Sequence, residues 1–600
     1  MNRLITYTSI ALMMFVLGSC TQKTSKSNTS QSGVEGKPNV ILIMTDDQGF
    51  GDLGYYGNPH IKTPVLDKFA GESVRFDEFL VSPVCAPTRS ALMTGRYTLR
   101  TGVRDTYQGG AMMAASEITL AEILKDVGYK TGMIGKWHLG DNYPMRPEDQ
   151  GFDYTLRHLS GGIGQWGDWP NHLKGNRSYF DPALFENGKM VESRGYCSDV
   201  FTDAAIQFLE ENQTDPFFLY LAFNAPHDPL QVPQEYYEMY KDIDPASGFE
   251  NDSRPFPEMN ENMKEKARKV YAMVTNIDDN MGRLLTKMDE LNLSENTLVI
   301  FMSDNGPIPY RYLAGMRGRK SSVYEGGIQV PCFWRYPNGF KPDRDIKATA
   351  SHFDIFPTIA QLCGATIPTD RKIDGISLLP LLTGEASELP KRNICRYWSR
   401  REPRKFDNMM IRNSRFKLVG NCSENATIDE FELFSLNDPY EQHNIVEGHK
   451  ETATALKTDL NNWIDELLAE QNALHAPRMI IGTEHENPSM LNLNDVHFTP
   501  HEKADKNIVY WATKAAQSGR YEIKLFFKKP IAASCDVELF IGEEKHTFHF
   551  KNPASAKLLL GEFYIPQGEI DLIPAVFVNE NNKANYVMPF YVEVNLMDTK

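Results

Sequence analysis

The chain has 600 residues, with 41% hydrophobic and 24% charged side chains, which is ordinary for a globular protein of more than one domain. A formal net charge of −16 excludes the basic footprint that nucleic-acid or anionic-membrane binding needs. It does not exclude a small anionic substrate, because a local cluster of Lys and Arg reverses the field inside a pocket.

In chain order, the N-terminus reads as an address. Arg3 precedes the apolar run "ITYTSIALMMFVL", too short to span a bilayer comfortably, and "LGSC" closes it. This resembles a bacterial lipoprotein signal over 1–20, with Cys20 as the lipidated residue. The Ser/Thr/Lys-rich stretch 21–36 then reads as a disordered tether. The expectation is an exported protein, periplasmic or tied to the outer membrane.

From Lys37 onward, apolar β-branched runs alternate with helical patterns. "NVILIM" is continuous enough for a buried strand, and "TPVLDKFAGES" offers Thr63 as a cap with Pro64 in the first turn. Thr119 caps "TLAEILKDVG", "SDVFTDAAIQFLEEN" is helical, "PFFLYLAFNAPH" is strand-like, and a long amphipathic stretch over 261–292 leads into "TLVIFMSDNG". Strands separated by helices predict βαβ units and a large, mostly parallel sheet sandwiched by helices over 37–390. Beyond it, 391–480 reads as a small α+β subdomain with an antiparallel sheet. Regularly spaced strands over 485–600 suggest an appended all-β sandwich. Tyr510 and Trp511 in that tail read as core or interface rather than as a sugar platform.

Polar clusters follow the predicted strands: Asp46-Asp47, then Lys136 and His138, then His227, then Asp304-Asn305. Each alone has a local explanation as a cap, a turn or a surface residue. Together they fall where open α/β sheets bind ligands, at the carboxyl ends of the strands. Asp46, Asp47, Asp304 and Asn305 offer hard oxygen ligands that suit Ca²⁺ or Mg²⁺. Lys136 and Lys320 supply positive charge, and His138 and His227 can move protons. A divalent cation with two lysines suits a multiply oxygenated anion such as sulfate or phosphate.

Cys85 precedes "PTRSALMTG", a short helix carrying Arg89. A thiol there should be acidic, which leaves a thiolate nucleophile open, although a thiolate is an indifferent partner for a hard cation. The remaining cysteines (Cys197, Cys332, Cys363, Cys395, Cys422 and Cys535) form no C-x-x-C pair. They suggest neither a metal cage nor a dense disulfide framework.

Cys85-Ala86-Pro87-Thr88-Arg89 followed by Thr94-Gly95-Arg96 resembles the signature of the type I sulfatases, of the alkaline phosphatase superfamily. "NVILIMTDDQGFGDLGYYG", "GYKTGMIGKWHLG", "FNAPHDPLQVP", "SDNG" and "GRKSSVYEGGIQVP" agree with it in order. The likeness covers roughly 37–480 and leaves out the last stretch. It implies an alkaline phosphatase-like fold and conversion of Cys85 to formylglycine by a formylglycine-generating or sulfatase-maturing enzyme before export. It also implies a metal site of Asp46, Asp47, Asp304, Asn305 and residue 85, with calcium the expected ion rather than magnesium. Arg89 would hold the formylglycine hydroxyl, Lys136 and His138 would flank it, and Lys320 and His227 would contact the sulfate and the leaving group. Arg319, just before Lys320, departs from the small residues common there.

The expected activity is release of sulfate from sugars of sulfated polysaccharides or glycosaminoglycan fragments. A phosphonate monoester hydrolase or phosphodiesterase of the same superfamily, and an unmodified glycan-binding lipoprotein, remain the alternatives. In the Gly/Trp-rich loop "GGIGQWGDWPNH", Trp166, Asp168 and His172 are candidates for contact with sugar hydroxyls.

Overall fold

The computed structural model describes residues 36–580 and 583–598, so the signal segment with Cys20, and all of the expected tether but its last residue, lie outside the described residues. Alternation along one strand explains the centre of the fold. Val40, Leu42 and Met44 of the strand Asn39–Thr45 pack on one face, while Ile41 and Ile43 pack on the other. Both faces are covered, which is why this strand is apolar throughout.

The sheet has ten strands. Five at its centre run parallel, in the order Thr297–Ser303, Asn39–Thr45, Phe217–Ala222, Lys130–Gly135 and Tyr154–Arg157. Its flanks are mixed. Cys332–Arg335 lies antiparallel to both neighbours, and Ala183–Glu186 and Lys189–Glu192 close the other edge as an antiparallel hairpin. The expected parallel pairing holds at the centre and for Arg344–Ile346 with Val74–Phe76, and the other rim pairings make the sheet mixed. Hairpin connections at the rim need no crossover helix.

Helices Leu120–Asp126 and Ile355–Cys363 cover one face, and Pro64–Gly71, Cys197–Glu211 and Glu261–Glu290 cover the other. Each large side chain buried in these layers contributes roughly 1.5–3 kcal/mol. Thr119 caps as expected, in a reciprocal box with Glu122. Thr63 does not cap its helix. Its hydroxyl bonds to Asp67 and the Gly54 amide, and the amides of Val65 and Leu66 donate instead to the carboxylate of Asp278.

A four-stranded antiparallel sheet follows (Ile394–Tyr397, Asp407–Arg412, Phe416–Asn421, Glu432–Ser435), packed by Leu456, Leu460 and Ile464 of helix Lys450–Leu468. The last part is two facing sheets of seven and four strands. Met479–Ile481, upstream of the start expected at 485, already pairs with Ile508–Ala515. Trp511 is buried in their shared core, its indole N–H donating to the Asn492 carbonyl. Met112 and Met145 of the α/β part join that core, so the sandwich is packed against it rather than tethered to it. Among the described residues the seven cysteines are all free.

Candidate active site and metal centre

Strand register brings the polar clusters together. Thr45 pairs with Ser303, and Met44 and Gly135 both pair with Ala222. Asp46, Asp304 and Lys136 therefore leave the sheet at one level. Asp47 then turns into the left-handed region at φ 65°, which Asp tolerates better than most residues. Its amide donates to Asp304 Oδ1 at 3.2 Å, and Arg311 donates to its carbonyl at 3.1 Å.

Asp46 Oδ2 accepts from Lys136 Nζ at 2.7 Å and from Asn224 Nδ2 at 2.9 Å. Asp47 Oδ1 accepts from Asn305 Nδ2 at 2.7 Å and from the Lys320 ammonium. Asp46 Oδ1 and Asn305 Oδ1 are buried without a hydrogen-bond partner. Both are hard oxygen donors of the kind that suits a hard cation. One ligand atom each from Asp46, Cys85 and Asp304 lie within 4.8 Å of one another, and so do those of Asp46, Asp47 and His227. Burial, and then repulsion from Asp46, pushes the Asp304 carboxyl up to about 6. Asp47 is held below the usual carboxylate range: burial opposes this, but Lys320 and His227 outweigh it.

Cys85 is the first residue of the helix Cys85–Thr94, with Arg89 one turn on. The Arg89 guanidinium is fully buried. It donates twice to Asp304 Oδ2, at 2.7 and 3.2 Å, and also to the Lys136 carbonyl at 2.8 Å and the Tyr220 hydroxyl. The Cys85 sulfur lies 3.4 Å from His138 Nδ1, while His138 Nε2 is 2.7 Å from the Thr106 carbonyl. A carbonyl only accepts, so Nε2 carries the proton and Nδ1 faces the sulfur with a lone pair. A Cβ on Gly161 would lie 2.5 Å from that ring, so glycine there leaves it room. His227 Nδ1 is likewise tied to the Asp228 carbonyl at 2.7 Å, leaving Nε2 free, 3.8 Å from Asp47.

Both imidazoles are neutral at pH 7. Burial, and then Lys136, drives His138 well below its ordinary value, and burial and the lysines outweigh Asp47 to bring His227 to about 4. The expected acidic thiol is corrected: burial raises the Cys85 pKa, and Asp46 and Asp304 add to this against Lys136 and Lys320. A buried thiol facing carboxylates keeps its proton.

A cavity of about 670 Å³ opens over Cys85, His138, His227 and Lys320. Arg400, its guanidinium stacked on Tyr107 and Trp398, stands in the same wall, which contains no carboxylate. Trp166 reaches the cavity; Asp168 and His172 do not. Asp168 is buried, accepting from the Gly164 amide and Asn171, and His172 is bonded to the Gly164 carbonyl. Both hold the loop that presents Trp166.

Burial raises Asp168 from 3.8 to about 7. Folding therefore takes up a proton between those values, and this group's contribution to stability falls as pH rises from about 4 to 7. Asp168→Asn is expected to flatten the pH dependence of the melting temperature between pH 5 and 8 by a few degrees, measured by calorimetry.

Asn224, Arg311, Tyr220 and Arg400 were not singled out from the sequence. Asn224 alone had a signal, as a polar residue just beyond a central strand. Arg319 lies over the Tyr310 ring at 4.5 Å and is not part of the cluster.

The chain and its fold have counterparts among known proteins. The family model "Sulfatase" matches residues 38–365, and "N-sulphoglucosamine sulphohydrolase, C-terminal" matches 319–470. An N-acetylgalactosamine-6-sulfatase of Canis lupus familiaris is 31% identical over 61% of this chain and 70% of its own length. An arylsulfatase of Hemicentrotus pulcherrimus is 33% identical over 66% of this chain and 70% of its own. The crystal structure of Ps i-CgsB in complex with k-i-k-neocarrahexaose superposes with a TM-score of 0.61 at 28% identity, covering 73% of this chain and 94% of that one. The chain belongs to the sulfatase family of sulfuric ester hydrolases, on the alkaline phosphatase-like fold.

Proposed function

We propose that this enzyme removes sulfate from sugars of sulfated polysaccharides or glycosaminoglycan fragments. One observation carries the reading: Cys85 opens a helix beside Asp46, Asp304 and Asn305, at the floor of a cavity whose charged wall residues are Lys320 and Arg400. Asp46, Asp47, Asp304, Asn305 and residue 85 fit a calcium ion, magnesium being the second choice, which would polarise the oxygen of residue 85. Formylglycine at 85 would supply a hydrated aldehyde, one hydroxyl attacking sulfur and the other later losing its proton to expel sulfate.

The chain's own groups do the rest. Arg89 fixes Asp304 and the helix start that aims residue 85. Lys320 presents its ammonium group to the oxygens of the sulfuryl group from the cavity wall, while Lys136, buried against Asp46, adds positive charge from behind it. His138 Nδ1, nearest the residue 85 side chain, is placed to take the proton that frees sulfate. His227 Nε2, free at the cavity wall, is placed to give a proton to the departing sugar oxygen. An anionic substrate beside it would raise its pKa from about 4.

The same proposal takes in maturation of Cys85 by a formylglycine-generating or sulfatase-maturing enzyme before export, and a lipid tether at Cys20 in the periplasm or outer membrane. The test is sulfate release from a panel of sulfated sugars, with matched aryl sulfate and aryl phosphodiester, before and after chelation. Sulfate release that chelation abolishes and calcium restores supports the reading. Faster turnover of the phosphodiester, or activity indifferent to chelation, overturns it.

A further inference from the structure

A second cavity, of about 450 Å³, adjoins the first and shares Trp166, Leu493 and Met588 with it. It is built mainly by the C-terminal sandwich, which lies beyond the residues that either family model matches. Its charged lining residues are Lys528 and Lys529, with no carboxylate. Lys528 Nζ stands 3.7 Å from the centroid of the Trp166 ring and 5.1 Å from that of Phe590, a contact that joins the α/β part to the sandwich.

Neither lysine makes an ion pair or a side-chain hydrogen bond to another described residue, whereas Lys524, earlier in the same strand Gly519–Ile531, is neutralised by Glu522 and Glu593. Trp166 itself is 53% exposed. In a chain of net charge −16, two adjoining cavities whose walls carry no acid form a path leading away from Cys85. Along it Lys320 and Arg400 are ion-paired with Asp47 and Asp105, while Lys528 and Lys529 have no acidic partner among the described residues. The loop behind that path is fixed: the Asn494 side chain accepts from Ser160, and its carbonyl accepts from the Gly109 amide. The groove is therefore held in shape before any ligand arrives.

We propose that this second cavity is a substrate subsite for the neighbouring sugar unit of the chain being desulfated. Lys528 and Lys529 pair with that unit's sulfate or carboxylate, and Trp166 and Phe590 pack against its ring. The inference rests on the sulfatase reading above and makes the sandwich a determinant of specificity: the enzyme favours oligosaccharides with a second acid group over single sulfated sugars.

The test uses disaccharides with one sulfate at the scissile unit and a second sulfate, a carboxylate or no charge on its neighbour. Binding is measured by calorimetry on full-length Cys85→Ala protein, with and without K528Q/K529Q. Both lysines are exposed, so the double variant is expected to fold normally. Affinity for the doubly acidic disaccharides should fall about tenfold and affinity for the uncharged neighbour should hold. A sulfate-only or a carboxylate-only response tells which group the subsite takes. An equal loss on all three probes, no loss on any, or no binding at all overturns the subsite. The two readings fail separately: binding that needs the lysines without any sulfate release by the unsubstituted enzyme refutes the activity alone. Sulfate release with binding indifferent to the lysines refutes the subsite alone.

Discussion

Cys85→Ala is expected to lower kcat/KM for every sulfate ester by about four orders of magnitude or more, the scale seen when a covalent nucleophile is removed. The fold should survive the change. Cys85 is a small buried side chain, and losing one sulfur costs on the order of 1 kcal/mol, or about 1 °C in a protein of this size. Steady-state kinetics and a melting curve on the same preparation separate the two effects. The mass of the peptide from Val81 to Arg89 gives the matching chemical check, since formylglycine and cysteine differ in mass. The thiol itself makes a poor alternative nucleophile. Its pKa is raised, it faces Asp46 and Asp304, and its hydrogen-bonding neighbour His138 is a neutral ring already committed to Thr106. A variant that kept its activity would move the nucleophile away from residue 85 altogether.

How much of this could be read in advance depends on whether a feature is local. Asp46-Asp47 and Asp304-Asn305 are legible because each closes a strand whose apolar run is unmistakable, and parallel register then brings strand ends level without further information. The Lys136 position follows in the same way. The acidity of Cys85 was misjudged because helix position and a nearby arginine are visible in sequence, whereas complete burial against two carboxylates is not. Asp168 and His172 sit close to Trp166 in sequence, yet one turn of helix at Trp169–His172 folds them back onto Gly164. The antiparallel rim of the main sheet escaped notice because Cys332–Arg335 is as apolar as its parallel neighbours, and strand direction leaves no mark on composition. The shared wall of the cavity was equally hidden, because Leu493 and Asn494 are more than 400 residues from Cys85 in a chain of 600.

Arg89→Ala is expected to be the most destabilising change at the site, costing about 3–5 kcal/mol as the removal of one partner from a buried ion pair does. Both side chains of the Arg89–Asp304 pair are fully buried, and the same guanidinium serves the Lys136 carbonyl and the Tyr220 hydroxyl. Arg89→Lys should recover only part of the loss, because one ammonium cannot span three acceptors in a plane. The penalty should depend on pH. Asp304 already holds its proton to about 6 with Arg89 present, and losing a positive neighbour raises that value further. Below it the carboxyl is neutral and needs no partner, so the variant should lose less relative to the parent at pH 5 than at pH 8. Calcium gives an independent reading of the same cluster. A cation bound among Asp46, Asp47 and Asp304 replaces the missing positive charge, so saturating calcium should raise the variant's melting temperature by RT ln(1 + [L]/Kd) expressed in degrees. A calcium response in both proteins, with activity lost only in the variant, would assign Arg89 to orienting residue 85 rather than to holding the metal. A variant that calcium leaves unchanged would mean that the carboxylates need the guanidinium to form a site at all.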